Sequence, residues 1–438
     1  MLKITRLLGL ALIALVLTLS QARALTLLRD AEIEYSLRQI SQPILQAAGL
    51  SVSQTRIIII GDSSLNAFVT DGQTIFIHSG LIEKLETAAQ LQAVIAHEAA
   101  HIANGHIARR MQNFRSSSRA ARIGMALATA AAIGGQGEAA LAIGSGSAEA
   151  ARRSFFAHTR AEEASADQSG VRYMVRAGVD PQAAVEVLNI FRGQEALSVG
   201  RQDPYASTHP LTRDRLRAME GFAASTPRLP PNQTAEYWFA RAKGKLSAFT
   251  RAPSWTLRRA RGDNSQIGVM RRAVAEHRKP NPRRAFALAD QLVAMAPSDP
   301  FAHELRGQIF LENRQFDAAV GAYGQAVRLA PETALIIGGY GRALLAAGRP
   351  GEALPALERA RARDGEDPRI LRDLAVAYAQ NGNNGMASLT TAERYALFGR
   401  LNDAAIHAER ARGLLPRGSA SWRRAEDLVS AASRNRGN

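Results

Sequence analysis

The segment His97-Glu98-Ala99-Ala100-His101 sets two imidazoles four residues apart with a carboxylate between them. An α-helix advances 3.6 residues per turn, so His97 and His101 project from one face and can reach a single metal ion. Glu98 stands beside that face, where it can take a proton from water held by the metal rather than ligate the metal itself. The chemistry this spacing points to is hydrolysis at zinc: three protein ligands leave a fourth position for water, whose pKa the metal lowers toward about 7. An ordinary half-buried helix could carry the same five residues, so a third ligand has to decide the matter.

These residues need a helix beneath them. Leu91, Val94, Ile95 and Ile102 recur at helical spacing in a segment rich in Ala and Gln, and Gly105 offers an end to it. His106 does not fit as the third ligand of a metzincin, which requires Gly three and His six residues after the second His. It reads as a structural residue or as support for a ligand. An acidic stretch from Thr159 to Asp167, on a second predicted helix, offers a carboxylate through Glu162 or Glu163.

With both segments in view the chain resembles the gluzincin family of CAAX-endopeptidase-like zinc metallopeptidases, which includes the membrane heat-shock protease and the periplasmic β-barrel assembly-enhancing proteases. That family pairs His-Glu-x-x-His with a downstream Ser-Arg-x-x-Glu-x-x-Ala-Asp, and Arg160, Glu163, Ala166 and Asp167 match this spacing with Thr159 in place of Ser. The resemblance implies that Glu163 is the third zinc ligand and that Asp167 orients a ligating His through its free ring nitrogen. Glu162 is then left on a solvated helix face.

Two further segments resemble the same family. Asn66 to Leu81 alternates around an Asp-Gly turn, like the hairpin that precedes the family's metal helix, and such a strand edge can hold an extended peptide by main-chain pairing. His78 within it is expected to serve packing or turn chemistry. Ser207-Thr208-His209-Pro210-Leu211 is similar to a His-Pro segment that follows the core in the assembly-enhancing subgroup. His209 would there either cap the zinc or stabilise the developing oxyanion, with a turn histidine before proline as the plain alternative.

The start of the chain reads as an export signal. Lys3 and Arg6 precede an uncharged run from Leu7 to Gln21, and Ala22-Arg23-Ala24 puts small residues where a signal peptidase reads. The apolar core is shorter than the ~20 residues a membrane span needs, so residues 1–24 are expected to be removed. Removal takes away three basic residues and no acid, leaving +13 of the formal +16. A charge of that size favours contact with anionic surfaces such as envelope lipids. Ten Lys or Arg between Arg251 and Arg284, opposed by Asp263 and Glu276, read as a solvated helical face. No nucleic-acid motif accompanies them, so no nucleic-acid partner is expected. There is no cysteine, which excludes disulfides and thiolate ligands. The Ala- and Gly-rich stretch over 123–147 is short for a span and reads as a lid over a cleft or as a membrane contact.

Residues 25–224 form the expected metallopeptidase domain, and the proline-rich Ser225 to Asn232 is expected to separate it from the remainder of the chain. A basic helical segment continues to 282. Over 283–438, Pro297 and Pro331, Gly307 and Gly341, Leu311 and Leu345, and Ala319 and Ala353 each repeat at 34 residues, the tetratricopeptide period. Asn381 to Gly385 reads as a turn-rich insertion in the last repeat. The expected fold is an α+β metallopeptidase core, mostly helical with a small sheet, followed by an all-α tetratricopeptide solenoid with a concave binding surface.

Export signal, zinc core and repeat array together resemble the assembly-enhancing subgroup over nearly the whole chain. The resemblance implies one Zn2+ per chain, a periplasmic location, protein substrates among misfolded or stalled outer-membrane proteins, contact with the β-barrel assembly machinery and chaperone activity. A binding scaffold with a latent protease and a general envelope protease without an assembly role are the alternatives. Mass spectrometry of the purified protein should find an amino terminus at Leu25. An intact Met1 would contradict the export reading.

Overall fold

The computed structural model describes residues 26–70, 72–109, 112, 159–194 and 203–436. The export signal over 1–24 and the stretch over 123–147 lie outside the described residues. Among the described residues no helix is long and apolar enough to cross a membrane.

Isoleucine-rich and alternating segments build a small mixed sheet: β1 (Leu27–Leu28), β2 (Arg56–Ile60), β3 (Ala67–Val69) and β4 (Thr74–His78), in the order β1-β2-β4-β3. β2 and β4 run parallel, with Arg56 opposite Thr74 and Ile60 opposite His78, while β3 returns antiparallel on β4 as a hairpin. β1 and β3 are therefore the two edges. Helices α1 (Ala31–Ala47), α2 (Ser79–Lys84) and α3 (Ala88–Ala103) precede α4 (Arg160–Arg176), α5 (Gln182–Ile190), α6 (Pro204–Thr208) and α7 (Arg213–Ala224). Each main helix starts where the sequence supplies a cap: Asp30 accepts from Ile33 N, Thr87 from Gln90 N and Thr159 from Glu162 N.

The proline-rich segment 225–232 is a loop, but the peptidase core does not stop at it. Helix α8 (Gln233–Thr250) buries Ala235, Phe239, Ala242 and Leu246 in the same apolar cluster as Ile40, Ile44, Ile75, Leu91 and Ile95. Its far end, at Ala248, joins a second cluster with Val269, Leu292 and Leu305. The expected separation at the prolines is thus replaced by a helix shared between two cores, because prolines break the helix without removing the apolar face that resumes after them. Helices α9 (Pro253–Arg259) and α10 (Gln266–Arg278) follow. Several of the basic residues here are tied down rather than simply solvated: Arg272 donates to the carbonyls of Ala260 and Asp263, Arg278 to those of Ala248 and Arg251.

The array continues through α11 (Pro282–Met295), α12 (Pro300–Glu312), α13 (Phe316–Leu329), α14 (Ala334–Ala346), α15 (Pro350–Arg363), α16 (Pro368–Gln380), α17 (Asn384–Leu397), α18 (Leu401–Leu414) and α19 (Ala420–Arg436). The repeat has a packing cause. A Cβ on Gly307 would fall 2.6 Å from the Tyr323 ring, and one on Gly341 would fall 2.5 Å from Leu357, so the same close approach recurs one period on. Asn381 to Gly385 is not an insertion. Arg314, Gly348 and Gly382 have φ of 61°, 71° and 77°, and all three stand at the same turn of successive hairpins.

Buried charge joins the solenoid to the peptidase. The fully buried Lys245 Nζ lies 2.9 Å from Asp30, 3.2 Å from Glu32 and 3.3 Å from Glu304 of α12. Arg241 bridges Glu32 at 2.6 Å and Asp299 at 2.7 Å. Arg29, just before α1, reaches Asp364 at 2.6 Å and Asp367 at 3.5 Å, at the junction of α15 and α16. Burial works against charge on Lys245, but the three carboxylates outweigh it and hold the amine well above its ordinary value. Lys245→Met should cost about 3–5 kcal/mol in a chemical denaturation titration, because it leaves buried carboxylates without their cation. A change under about 1 kcal/mol would show that the network contributes no net stability.

Candidate metal centre

Helix α3 presents His97 and His101 on the face turned to α4, and α4 presents Glu163 on the face turned back. The two helices pack backbone to backbone at position 170, where a Cβ would lie 3.4 Å from the Ala96 carbonyl and the His97 nitrogen, ordinary contact distance. Thr159 and Glu162 form a capping box at the start of α4, with Glu162 Oε2 accepting from Thr159 N at 3.0 Å. That role fixes the rotation of the helix. Glu162 stays at the surface of the first turn and Glu163 is fully buried.

His97, His101, Glu163 and His209 form one buried cluster whose donor atoms lie within 4.8 Å of one another. His97 Nε2 is 3.1 Å from His101 Nε2 and 3.4 Å from Glu163 Oε2, and His101 Nε2 is 3.4 Å from Glu163 Oε1. His209 Nδ1 closes the group, 3.0 Å from Glu163 Oε1 and 3.3 Å from His97 Nε2. Ligands at 2.0–2.1 Å on the corners of a tetrahedron stand roughly 3.3 Å apart, so these donors have the spacing of a four-coordinate ion. Glu98 is fully buried beside them, its Oε1 3.5 Å from His209 Nε2.

The electrostatics favour a cation at this point. Burial opposes charge on His97, yet Glu163 and Asp167 outweigh it and push its pKa up to about 10. Burial holds His101 well below its ordinary value despite its hydrogen bond with Glu163, which keeps that ring neutral as a ligand requires. Glu163 would be raised by burial, but His209 and His97 hold it well below the usual carboxylate range.

Ligand orientation comes from a second layer. Asp167 Oδ1 lies 3.1 Å from His97 Nδ1, the nitrogen turned away from the cluster. His106 Nδ1 lies 3.0 Å from His101 Nδ1 in the same relation, and Gly105 in the left-handed region (φ 70°) turns the chain to bring it there. His78 is elsewhere, at the end of β4 with its Nδ1 2.9 Å from Ser64 Oγ.

Arg215 was invisible as a site residue in the sequence. It is buried on α7, pairs with Glu163 Oε2 at 2.7 Å and with both oxygens of Asp167 at 2.7 and 2.9 Å, and donates to the Pro210 carbonyl at 2.9 Å. One guanidinium thereby ties the His209-Pro210 segment to the acidic pair on α4. Among 55 basic residues nothing singled it out, since the cap at Thr212 takes only its backbone N–H. Tyr205 was missed too. Its buried ring stacks between Phe191 at 4.7 Å and His209 at 4.6 Å.

Residues 31–223, which span this cluster, match Peptidase family M48. The catalytic domain belongs to peptidase family M48. Residues 271–334, 310–370 and 344–393 match tetratricopeptide repeats, so the chain is an M48 metallopeptidase domain followed by a repeat array. The Beta-barrel assembly-enhancing protease of Escherichia coli (strain K12) is 25% identical over 356 residues, covering 79% of this chain and 72% of its own. The Mitochondrial metalloendopeptidase OMA1 of Schizosaccharomyces pombe is 28% identical over 182 residues, covering 42% of this chain and 50% of its own. Among solved structures, MamA aligns over 37% of this chain and 96% of its own at 19% identity, with a TM-score of 0.32. Family and cluster together imply a bound metal in the M48 domain.

Asp167→Asn should lower metal affinity by roughly ten- to a hundredfold, because the partner that fixes the His97 ring loses its charge. Competition with a chromogenic chelator measures it. Affinity equal to that of the parent chain would remove Asp167 from the support of the site.

Proposed function

We propose that the chain is an exported zinc endopeptidase that hydrolyses peptide bonds of misfolded or stalled envelope proteins, with the solenoid recruiting clients or partners. The observation that carries the reading is the buried set of His97, His101 and Glu163 at tetrahedral spacing, with the Glu98 carboxylate against it. Zinc held there, one ion per chain, would supply Lewis acidity and lower the pKa of water toward about 7. Glu98 is the general base that takes the proton from the attacking water and afterwards hands it to the leaving amine. Asp167 and His106 keep the two ligating imidazoles in the tautomer that faces the metal. β3, an edge of the sheet beside α3, offers main-chain groups to an extended substrate.

The envelope assignment draws on the relative named for β-barrel assembly and on the export signal, and the residual positive charge suits anionic lipid. Outer-membrane proteins stalled in assembly are the corresponding client class, with the assembly machinery as partner and chaperone activity at the solenoid.

For His209 the distances favour capping. Its Nδ1 sits as close to Glu163 and His97 as the ligands sit to one another, in the position a fourth donor would take. Such a cap restrains the enzyme until a client displaces it.

Two substitutions separate these roles. Glu98→Gln should retain zinc by elemental analysis and lose peptide hydrolysis; loss of zinc would instead assign Glu98 to metal binding. His209→Ala should raise basal cleavage of an unstructured fluorogenic peptide, including self-cleavage, by freeing the fourth position. A fall of roughly a hundredfold or more with zinc retained would mean that His209 stabilises the oxyanion, and unchanged activity would leave it a turn histidine.

A further inference from the structure

The end of the sheet and helices α12, α14 and α16 of the solenoid line an open cleft of about 460 Å3, within the roughly 300–1,000 Å3 that holds ligands elsewhere. Leu27, Leu28, Arg29 and Asp30 line it in succession. Neighbouring residues of a strand point to opposite faces, so a cavity that meets consecutive residues borders the edge of the strand and not a face. β1 is last in the sheet order and pairs with β2. The edge turned to the cavity is therefore the one away from β2.

The solenoid already answers this edge at one point. Arg369 Nη1 donates to the carbonyl of Arg29, the residue that follows β1, at 3.0 Å, so a main-chain acceptor beside this edge already takes a bond from the solenoid. The opposite wall is mixed: Leu335 and Ile370 of the solenoid and Phe249 of α8 stand beside Gln308, Arg342 and the carboxylates of Glu304 and Glu312. Gly338 and Gly339 on α14 also line it, where a Cβ would run into Ile370 and the Tyr323 ring respectively. A sheet edge with no further strand among the described residues, a cleft beside it and a mixed wall are what an extended peptide with alternating side chains requires.

We propose that a protein client docks an extended segment on the free edge of β1, inside this cavity, adding a fifth strand to the sheet. The occupant is a β-strand of an unassembled protein, which identifies the client class by its unpaired strands and rests on the peptidase reading above. Three strand spacings, roughly 14 Å, separate this edge from β3 at the other side of the sheet. A client held at β1 keeps the rest of its chain at high effective concentration near the metal centre.

The absence of cysteine makes the test direct. The full mature chain carrying Glu98→Gln and Gln308→Cys has one thiol, and the probe is a ten-residue peptide of alternating valine and threonine with a bromoacetyl group. Labelling of that thiol should be at least tenfold faster than with the same peptide N-methylated at alternate residues, which cannot pair along one edge. Equal rates for the two peptides would overturn the proposal. In the Glu98→Gln chain, Leu335→Trp and, separately, Gln308→Trp fill the cavity; either should weaken binding of the unmodified peptide, by fluorescence anisotropy, at least tenfold. Unchanged binding in both, with melting temperature and zinc content kept, would also overturn it. Hydrolysis of a short unstructured peptide by the wild-type chain depends on the metal centre alone, so its failure would strike the peptidase reading and not the docking.

Discussion

Glu163 is a carboxylate with no access to water, and much of the peptidase half is arranged around the cost of putting it there. Arg215 supplies a permanent cation at 2.7 Å, and the imidazoles of His97, His101 and His209 supply the rest of the compensation within hydrogen-bonding or near-contact distance. That requirement explains features that look unrelated in the chain. The capping box at Thr159 sets the helix rotation, Gly170 packs against the backbone of the metal helix, and the loop after α6 returns to bring His209 and Arg215 from the same side. A carboxylate buried beside one guanidinium and a group of imidazole nitrogens is also a favourable place for a divalent metal.

The metal helix is supported from behind by α1 and α8, and these are the helices that carry the ionic contacts to the solenoid. Gln92 of α3 donates to the Ile40 carbonyl of α1, while Glu32 at the start of α1 meets both Arg241 and Lys245 of α8. Solenoid, supporting helices and metal helix thus form one mechanical series. Two modules that are ordinarily connected by a flexible joint are here fastened through desolvated charge, and displacement of one has a route to the other.

Much of this was legible in the sequence where a local rule acts alone. The metal helix follows from apolar spacing and an ending glycine, the acidic helix from its match to a known pattern, and the solenoid from a period that packing enforces at Gly307 and Gly341. What was hidden depends on pairings between distant segments. Arg215 looks like any other arginine until α7 is folded against α4, and Lys245 looks like a surface residue on an amphipathic helix until Asp30 and Glu304 close over it. The proline-rich loop misled for the same reason. Breaking a helix is a local act, whereas ending a domain depends on where the next apolar face finds its partner, and α8 finds it in the peptidase core.

Repeat arrays usually tolerate gain or loss of a unit, since each repeat touches only its neighbours. This one is pinned at two separated places, Asp299 and Glu304 on one hairpin and Asp364 and Asp367 at the junction of two later ones, against the cations Arg241 and Lys245 of α8 and Arg29 before α1. The number of hairpins between the pins is therefore set by geometry as strictly as the tooth count between two meshed gears. Duplicating or deleting one unit there would swing the second pin out of reach and strand its charges, whereas units beyond α16 are free of that constraint. Lineages carrying this arrangement should vary in length at the carboxy-terminal end of the array and hold the count constant before it.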